Sequence, residues 1–116
     1  MSDQAFKLSV EKVESVTVEH VSGPVDSAHV ELFKAELTPL CAVPGARVLL
    51  DCEQLTYLNS SSIGLLMKFH RGLVVSRGRL ALCALNSKLA RTLELLQIGK
   101  SLQLFPTRAE ALAALN

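Results

Sequence analysis

Three adjacent serines, Ser60, Ser61 and Ser62, stand between two apolar segments in "YLNSSSIGLL". Small hydroxyls in that position can do two kinds of chemistry. They can cap a helix, where a side-chain oxygen accepts an unpaired backbone N–H and contributes about 1 kcal/mol; Asn59 or Ser60 suffices for that. They can also receive a phosphate. The first turn of a helix has unpaired amides and the positive end of the dipole, so it accommodates an anion on its own chain. A phosphoserine would add about −1.5 to −2 charges to any surface docked there. An uncompensated penalty of roughly 3 kcal/mol weakens binding about a hundredfold. Both readings stay open at this point.

The remaining reactive residues offer less. His20 falls in a strand-like segment, His29 near a helix start and His70 beside an apolar stripe, without the HxxxH or HExxH spacing of a metal site. Gly99-Lys100-Ser101 imitates the end of a phosphate-binding loop, but Glu94 occupies the place of that motif's first glycine. Lys68, Arg71, Arg77 and Arg79 form a basic run with Phe69 as its only aromatic. Nucleic-acid binding needs stacking platforms, so a solvated helix face is the reading and no nucleic acid is expected. Cys41, Cys52 and Cys83 are odd in number and widely spaced, which fits reduced, buried thiols and no disulfide framework. Cys52 or Cys83 as a nucleophile has no predictable base beside it, so no enzyme and no cofactor is expected.

Size, composition and charge bound the rest. The chain has 116 residues, 49 % apolar, with a formal net charge of +1. That length supports a single domain over 1–116, since one core needs about 100 to 150 residues. Near-neutral charge implies no long-range electrostatic partner. "MSDQAFKLSV" lacks a leader pattern, and no apolar run approaches the roughly 18 residues of a membrane span. A cytoplasmic location without membrane insertion is expected.

Elements to position the serines follow from periodicity. Phe6, Leu8 and Val10, then Val16 and Val18, alternate with polar residues around Glu14-Ser15, as in a hairpin of half-buried strands. Gly23 and Pro24 predict a turn, and Asp26 or Ser27 a helix cap. Val30, Phe33, Leu37 and Leu40 lie on one helical face, which Pro39 and "VPG" at 43–45 should end. "RVLLDC" at 47–52 predicts a strand covered on both sides, with "EQLTYLN" as the connection to the serines. Residues 60–77 predict a helix with a stripe of Leu66, Phe69 and Leu73, stopped by Gly78. "RLALCAL" at 79–85 predicts a strand. Asn86 or Ser87 should cap a helix with Leu89, Leu93 and Leu96 on one side, ending at Gly99. "LQLF" at 102–105 predicts a last strand, and Thr107-x-x-Glu110 a capping box before a final helix. The order ββαβαβαβα predicts an α/β fold with a mixed sheet of four to five strands and about four helices.

On these residues the sequence resembles the STAS family, the domain of bacterial anti-sigma factor antagonists and of sulfate-transporter tails. The resemblance spans nearly the whole chain: "VSGPVD" at 21–26, "VLLDCEQLTYLNSSSIGLL", and "LELLQIGKSLQLFPTRAEALAAL" look like the family's turn, phosphoacceptor loop and closing elements. The family's loop commonly reads Asp-Ser-Ser/Thr-Gly-Leu-Gly. Ile63-Gly64 sets the register, so Asn59 falls at the aspartate, Ser60 at the first serine, Ser61 at the phosphoacceptor and Ser62 at the first glycine. Asn59 keeps the cap but lacks the carboxylate, and Ser62 adds a Cβ, which requires a backbone that avoids positive φ.

The resemblance implies a non-enzymatic switch. Unphosphorylated, the protein would bind an anti-sigma factor that is itself a serine kinase. Phosphorylation of Ser61 would end the interaction and a PP2C-type phosphatase would reset it, with ATP and Mg²⁺ belonging to the partner. The docking surface would comprise Ser22, Gly23, Pro24 and Asp26, Asn59, Ser60 and Ser62, and Asn86 and Ser87, loops that can gather at one end of the sheet. Gly64 would permit close helix packing and Leu65 would remain partly exposed for the partner. The alternative is a non-phosphorylated STAS scaffold or accessory subunit of a transporter or signalling assembly.

Overall fold

The computed structural model describes residues 5–98 and 102–116. The Gly99 helix stop and the Gly99-Lys100-Ser101 tripeptide therefore lie outside the described residues. Strands β1 (Lys7–Val13) and β2 (Val16–Val25) precede helix α1 (Val30–Cys41). Next come β3 (Arg47–Asp51), β4 (Leu55–Leu58) and α2 (Ser60–Val75). Then follow β5 (Arg79–Cys83), α3 (Ser87–Leu95), β6 (Gln103–Phe105) and α4 (Arg108–Leu115).

The sheet runs β1-β2-β3-β5-β6, with β4 joined to the far part of β2. Only β1 is antiparallel to its neighbour; β2, β3, β4, β5 and β6 pair in parallel. Parallel strands are covered on both faces, and the runs in β3 and β5 divide accordingly. Val48, Leu50, Leu80 and Leu82 pack with Phe33 and Leu37 of α1, Leu66 and Leu73 of α2, and Leu89 and Leu93 of α3. Leu49, Ala81 and Cys83 point the other way and meet Val16, Val18 and the Ala111 and Leu115 of α4. Three helices thus cover one face and α4 the other. Since each helix that follows a parallel strand starts at that strand's carboxyl end, the entrances of α1, α2 and α3 share one edge of the sheet.

Several expected details change for physical reasons. The "EQLTYLN" connection contains β4, which gives the sheet a sixth strand. Gly23 and Pro24 do not interrupt β2. Gly23 takes φ +78, and a register shift between it and Pro24 re-aims the strand from β3 to β4. Pro39 lies inside α1, in its last turn, and the helix continues to Cys41. Neither Asp26 nor Ser27 is the cap of α1. Asp26 closes the turn before it by accepting the Ala28 amide on its side chain at 2.9 Å and the His29 and Val30 amides on its carbonyl, and His29 occupies the cap position without a side-chain bond.

At the end of α2, Arg77 rather than Gly78 adopts the left-handed conformation, at φ +65. Gly78 N–H then bonds Leu73 O, and Arg77 N–H bonds Val74 O, a Schellman arrangement. Gly78 is required for another reason: a Cβ there would stand 2.4 Å from the Ala46 carbonyl oxygen. Phe69 of the expected stripe is only partly buried. Helix α3 stops at Leu95, with Gln97 at φ +61, so Leu96 leaves the stripe and is 56 % exposed. The Thr107 hydroxyl accepts the Glu110 amide at 3.1 Å, which is the first of the two bonds of a capping box.

Candidate functional site

The serines are held by what precedes them. Strand β4 pairs with Gly23, Pro24 and Val25 of β2, and the Asn59 N–H bonds the Val25 carbonyl at 3.1 Å. This fixes where α2 begins. Asn59, in extended conformation, accepts the Ser62 amide on its Oδ1 at 2.8 Å. The Ser62 hydroxyl donates back to the Asn59 carbonyl at 2.7 Å. Ser62 is fully buried, and its φ is not positive, so the Cβ at this place is absorbed inside the fold. Ser60 and Ser61 are exposed as the first and second residues of α2, and the first turn holds no acidic side chain. An added anion there would meet unpaired amides and the positive end of a 16-residue helix.

Hydrogen bonds gather the neighbouring loops at the same edge. Gly23 N–H donates to Gln54 O and Cys52 N–H to Cys83 O, both at 2.9 Å. Asn86 caps α3 by accepting the Leu89 amide at 2.8 Å, and its Nδ2 reaches Leu55 O at 3.4 Å. The segments 22–26, 59–61 and 86–87 are therefore linked through β4.

Within this set the side chains divide. Ser60, Ser61, Gly64, Asn86 and Ser87 are exposed, while Ser22, Pro24, Asp26, Asn59 and Leu65 are partly buried. Gly23 and Ser62 are buried, so they shape the edge without being able to touch a docked surface. Within the chain Gly64 packs against no other element: a Cβ there would find open space. Sequence reasoning missed Tyr57, the one tyrosine of the chain, which lies on β4 and is 50 % exposed close to the serines in sequence. Its signal is an aromatic between two leucines, Leu55 and Leu58, that both turn inward.

Among the described residues no titratable side chain is hydrogen-bonded to the three serines; at the same edge His29 meets Asp26 Oδ1 at 3.0 Å and the Pro24 carbonyl at 2.9 Å. His20 bridges two carboxylates, with Nε2 on Glu11 and Nδ1 3.1 Å from Asp51 Oδ2. Arg108 of α4 completes the cluster at 3.2 Å from Glu11. The His20 hydrogen bond is the chief cause that holds Glu11 below the usual carboxylate range. His29 stacks on Phe6 with ring centroids 4.5 Å apart. Cys41, Cys52 and Cys83 are free. Burial pushes Cys41 and Cys83 up to about 11 and Cys52 well above its ordinary range, so the thiols stay protonated at neutral pH. Glu19 is fully buried with neither carboxylate oxygen hydrogen-bonded among the described residues. Burial first, and Glu36 on α1 second, push it up to about 8.

The sequence profile of the STAS domain matches residues 7–111. The chain belongs to the STAS family. A STAS relative in sequence is BtrV of Bordetella bronchiseptica, whose name is that of an anti-sigma factor antagonist. It is 29 % identical over 101 residues, covering 87 % of this chain and 84 % of BtrV. In structure, an anti-sigma factor antagonist from Mycobacterium paratuberculosis superposes with a TM-score of 0.87 at 22 % identity, over 98 % of this chain and 97 % of the other. The phosphorylated form of the Bacillus cell fate determinant SpoIIAA gives 0.70 at 23 % identity, over 97 % and 100 % of the two chains. These two likenesses concern the STAS fold. No described helix of this STAS protein is long and apolar enough to cross a membrane.

Proposed function

We propose that this STAS protein is an anti-sigma factor antagonist whose partner is an anti-sigma factor with serine kinase activity. Unphosphorylated, it docks through the edge that carries Ser22 to Asp26, Asn59 to Ser61, Leu65, Asn86 and Ser87. The partner transfers phosphate from ATP to Ser61 and releases it, and a PP2C-type phosphatase restores the starting state. ATP and Mg²⁺ belong to the kinase, and the antagonist itself performs no catalysis.

One observation carries this reading: Ser61 is exposed in the first turn of α2, beside a cap that Asn59 and Ser62 complete without it. A phosphate on Ser61 can therefore occupy the docking surface without removing a bond that holds the helix start. The name of BtrV and the existence of a phosphorylated SpoIIAA support the same reading.

Incubation with the anti-sigma kinase of the same organism and Mg·ATP, followed by intact mass, tests it. Addition of one phosphate to the wild type and none to Ser61→Ala is expected. A second reading, a non-phosphorylated scaffold in a transporter or signalling assembly, is favoured by Asn59 standing where the family has a carboxylate. Tight binding with no phosphate transferred would decide for the scaffold.

A further inference from the structure

Charge is unevenly distributed along the chain. Between Glu53 and Glu94 there is no aspartate or glutamate, but there are six cations: Lys68, Arg71, Arg77, Arg79, Lys88 and Arg91. Arg79 is committed to the opposite side of the sheet, where it donates to Ala114 O and to the Gln103 side chain. Lys68 and Arg71 are exposed on α2. Among the described residues neither has an ion-pair partner, since the ion pairs found there join His20, His29 and Arg108 to Glu11, Asp26 and Asp51. The formal net charge of +1 therefore conceals one helix face that is purely cationic.

That face is continuous with the phosphoacceptor. Ser61, Gly64, Lys68, Gly72 and Val75 follow one another at helical spacing and all are exposed. At 1.5 Å per residue, Lys68 lies about 10 Å and Arg71 about 15 Å along the axis from Ser61. Above Gly64 and Gly72 nothing stands within 4 Å of where a Cβ would be, so another backbone can approach the helix closely there. On one flank, Met67, His70, Arg71, Val74 and Val75 line a shallow groove of about 400 Å³. It joins apolar surface to cationic surface.

We propose that the partner lies along the outer face of α2 from Ser61 towards Val75, and that the segment it lays there is acidic, with carboxylates facing Lys68 and Arg71. Complementary charge of this kind speeds association and sets register. The assignment rests on the reading of Ser61 above and extends it to the partner's chemistry. It also gives the phosphate a second effect. On the α2 face, which carries no acid, phosphoserine is the only anion, so it opposes the partner's carboxylates as well as being desolvated by them.

The test uses the purified anti-sigma factor of the same organism with Mg·ADP. Its binding is measured to wild type, to the double variant Lys68→Glu/Arg71→Glu, and to Lys34→Glu on α1, a helix that already carries Glu31 and Glu36. Association to wild type should slow about tenfold between 50 and 500 mM salt. The double variant should bind at least about thirtyfold more weakly at low salt and lose the salt dependence, while its melting temperature stays at the wild-type value. Lys34→Glu should bind as wild type does. Wild-type affinity and salt response in the double variant, with binding still abolished by Ser61 phosphate, would overturn the acidic partner and leave the switch standing. Loss of affinity only for an added single-stranded oligonucleotide would equally overturn it. No binding by wild type would overturn both.

Discussion

Replacement of Glu19 by methionine tests the reading of the buried interior quantitatively. Glu19 lies on β2 opposite Val10 and Leu50, with no exposed surface. Burial, and secondarily Glu36, raise its pKa from 4.5 to about 8. In the unfolded chain the same carboxyl ionises near pH 4.5, so the unfolded state loses the proton first. A raised acid therefore gives its full contribution to stability below pH 4.5 and loses it as pH climbs to about 8. Each pH unit within that window removes at most about 1.4 kcal/mol. Methionine has similar reach, is apolar and does not titrate. The advantage of Glu19→Met over wild type should grow by up to about 3 kcal/mol between pH 5 and pH 7.5 and level off at still higher pH. In urea this is a relative midpoint shift of about 2 M. Glu19→Gln, measured in parallel, should show the same pH trend with a constant offset for an unpartnered buried amide. A difference between Glu19→Met and wild type that stays constant from pH 5 to pH 9 would refute the claim that Glu19 is held uncharged in the fold.

Two glycines with opposite surroundings make a paired prediction. Gly78→Ala should destabilise by about 1 to 3 kcal/mol, because its Cβ would press on the Ala46 carbonyl at 2.4 Å; Gly64→Ala, in open space on α2, should stabilise by about 0.5 to 1 kcal/mol. Thermal denaturation checks both signs. Asn59→Ala should remove about 1 kcal/mol through the lost Ser62 amide bond, and Asn59→Asp should restore it, since a carboxylate also suits the helix entrance.

Much of this fold is written in short-range patterns. The runs of β3 and β5, the stripe of Leu66 and Leu73, and the caps Asn59, Asn86 and Thr107 are local signals, and each is where its spacing puts it. Other features were hidden because a distant partner decides them. Leu55–Leu58 becomes a strand only because the far part of β2 needs a neighbour. Gly23-Pro24 reads as a turn because both residues punctuate chains, whereas here Gly23 supplies the positive φ at a bulge. Pro39 forfeits the bond its N–H would have made to the Ala35 carbonyl, and its place two residues from the helix end confines that loss to the last turn. The left-handed positions at Arg77 and Gln97 carry no glycine to announce them.

The site was partly legible for the same reason. Serines after a capping asparagine identify a helix entrance, which local sequence can specify. That Ser61 faces solvent while Ser62 turns inward depends on the angle at which α2 meets the sheet, which the Asn59–Val25 hydrogen bond sets. Gly23, assigned to the docking edge, is buried beneath it through its bond to Gln54. Nothing local to "SGPVDS" reveals that.

The most direct measurement compares the protein phosphorylated on Ser61 with the unphosphorylated protein, for affinity to the anti-sigma factor and for stability in the same buffer. The switch requires binding to weaken by at least about a hundredfold, with unfolding free energy changed by no more than about 1 kcal/mol, since the helix entrance accepts the charge. Equal affinity of the two forms, or a phosphoprotein that has lost several kcal/mol of stability, would contradict it.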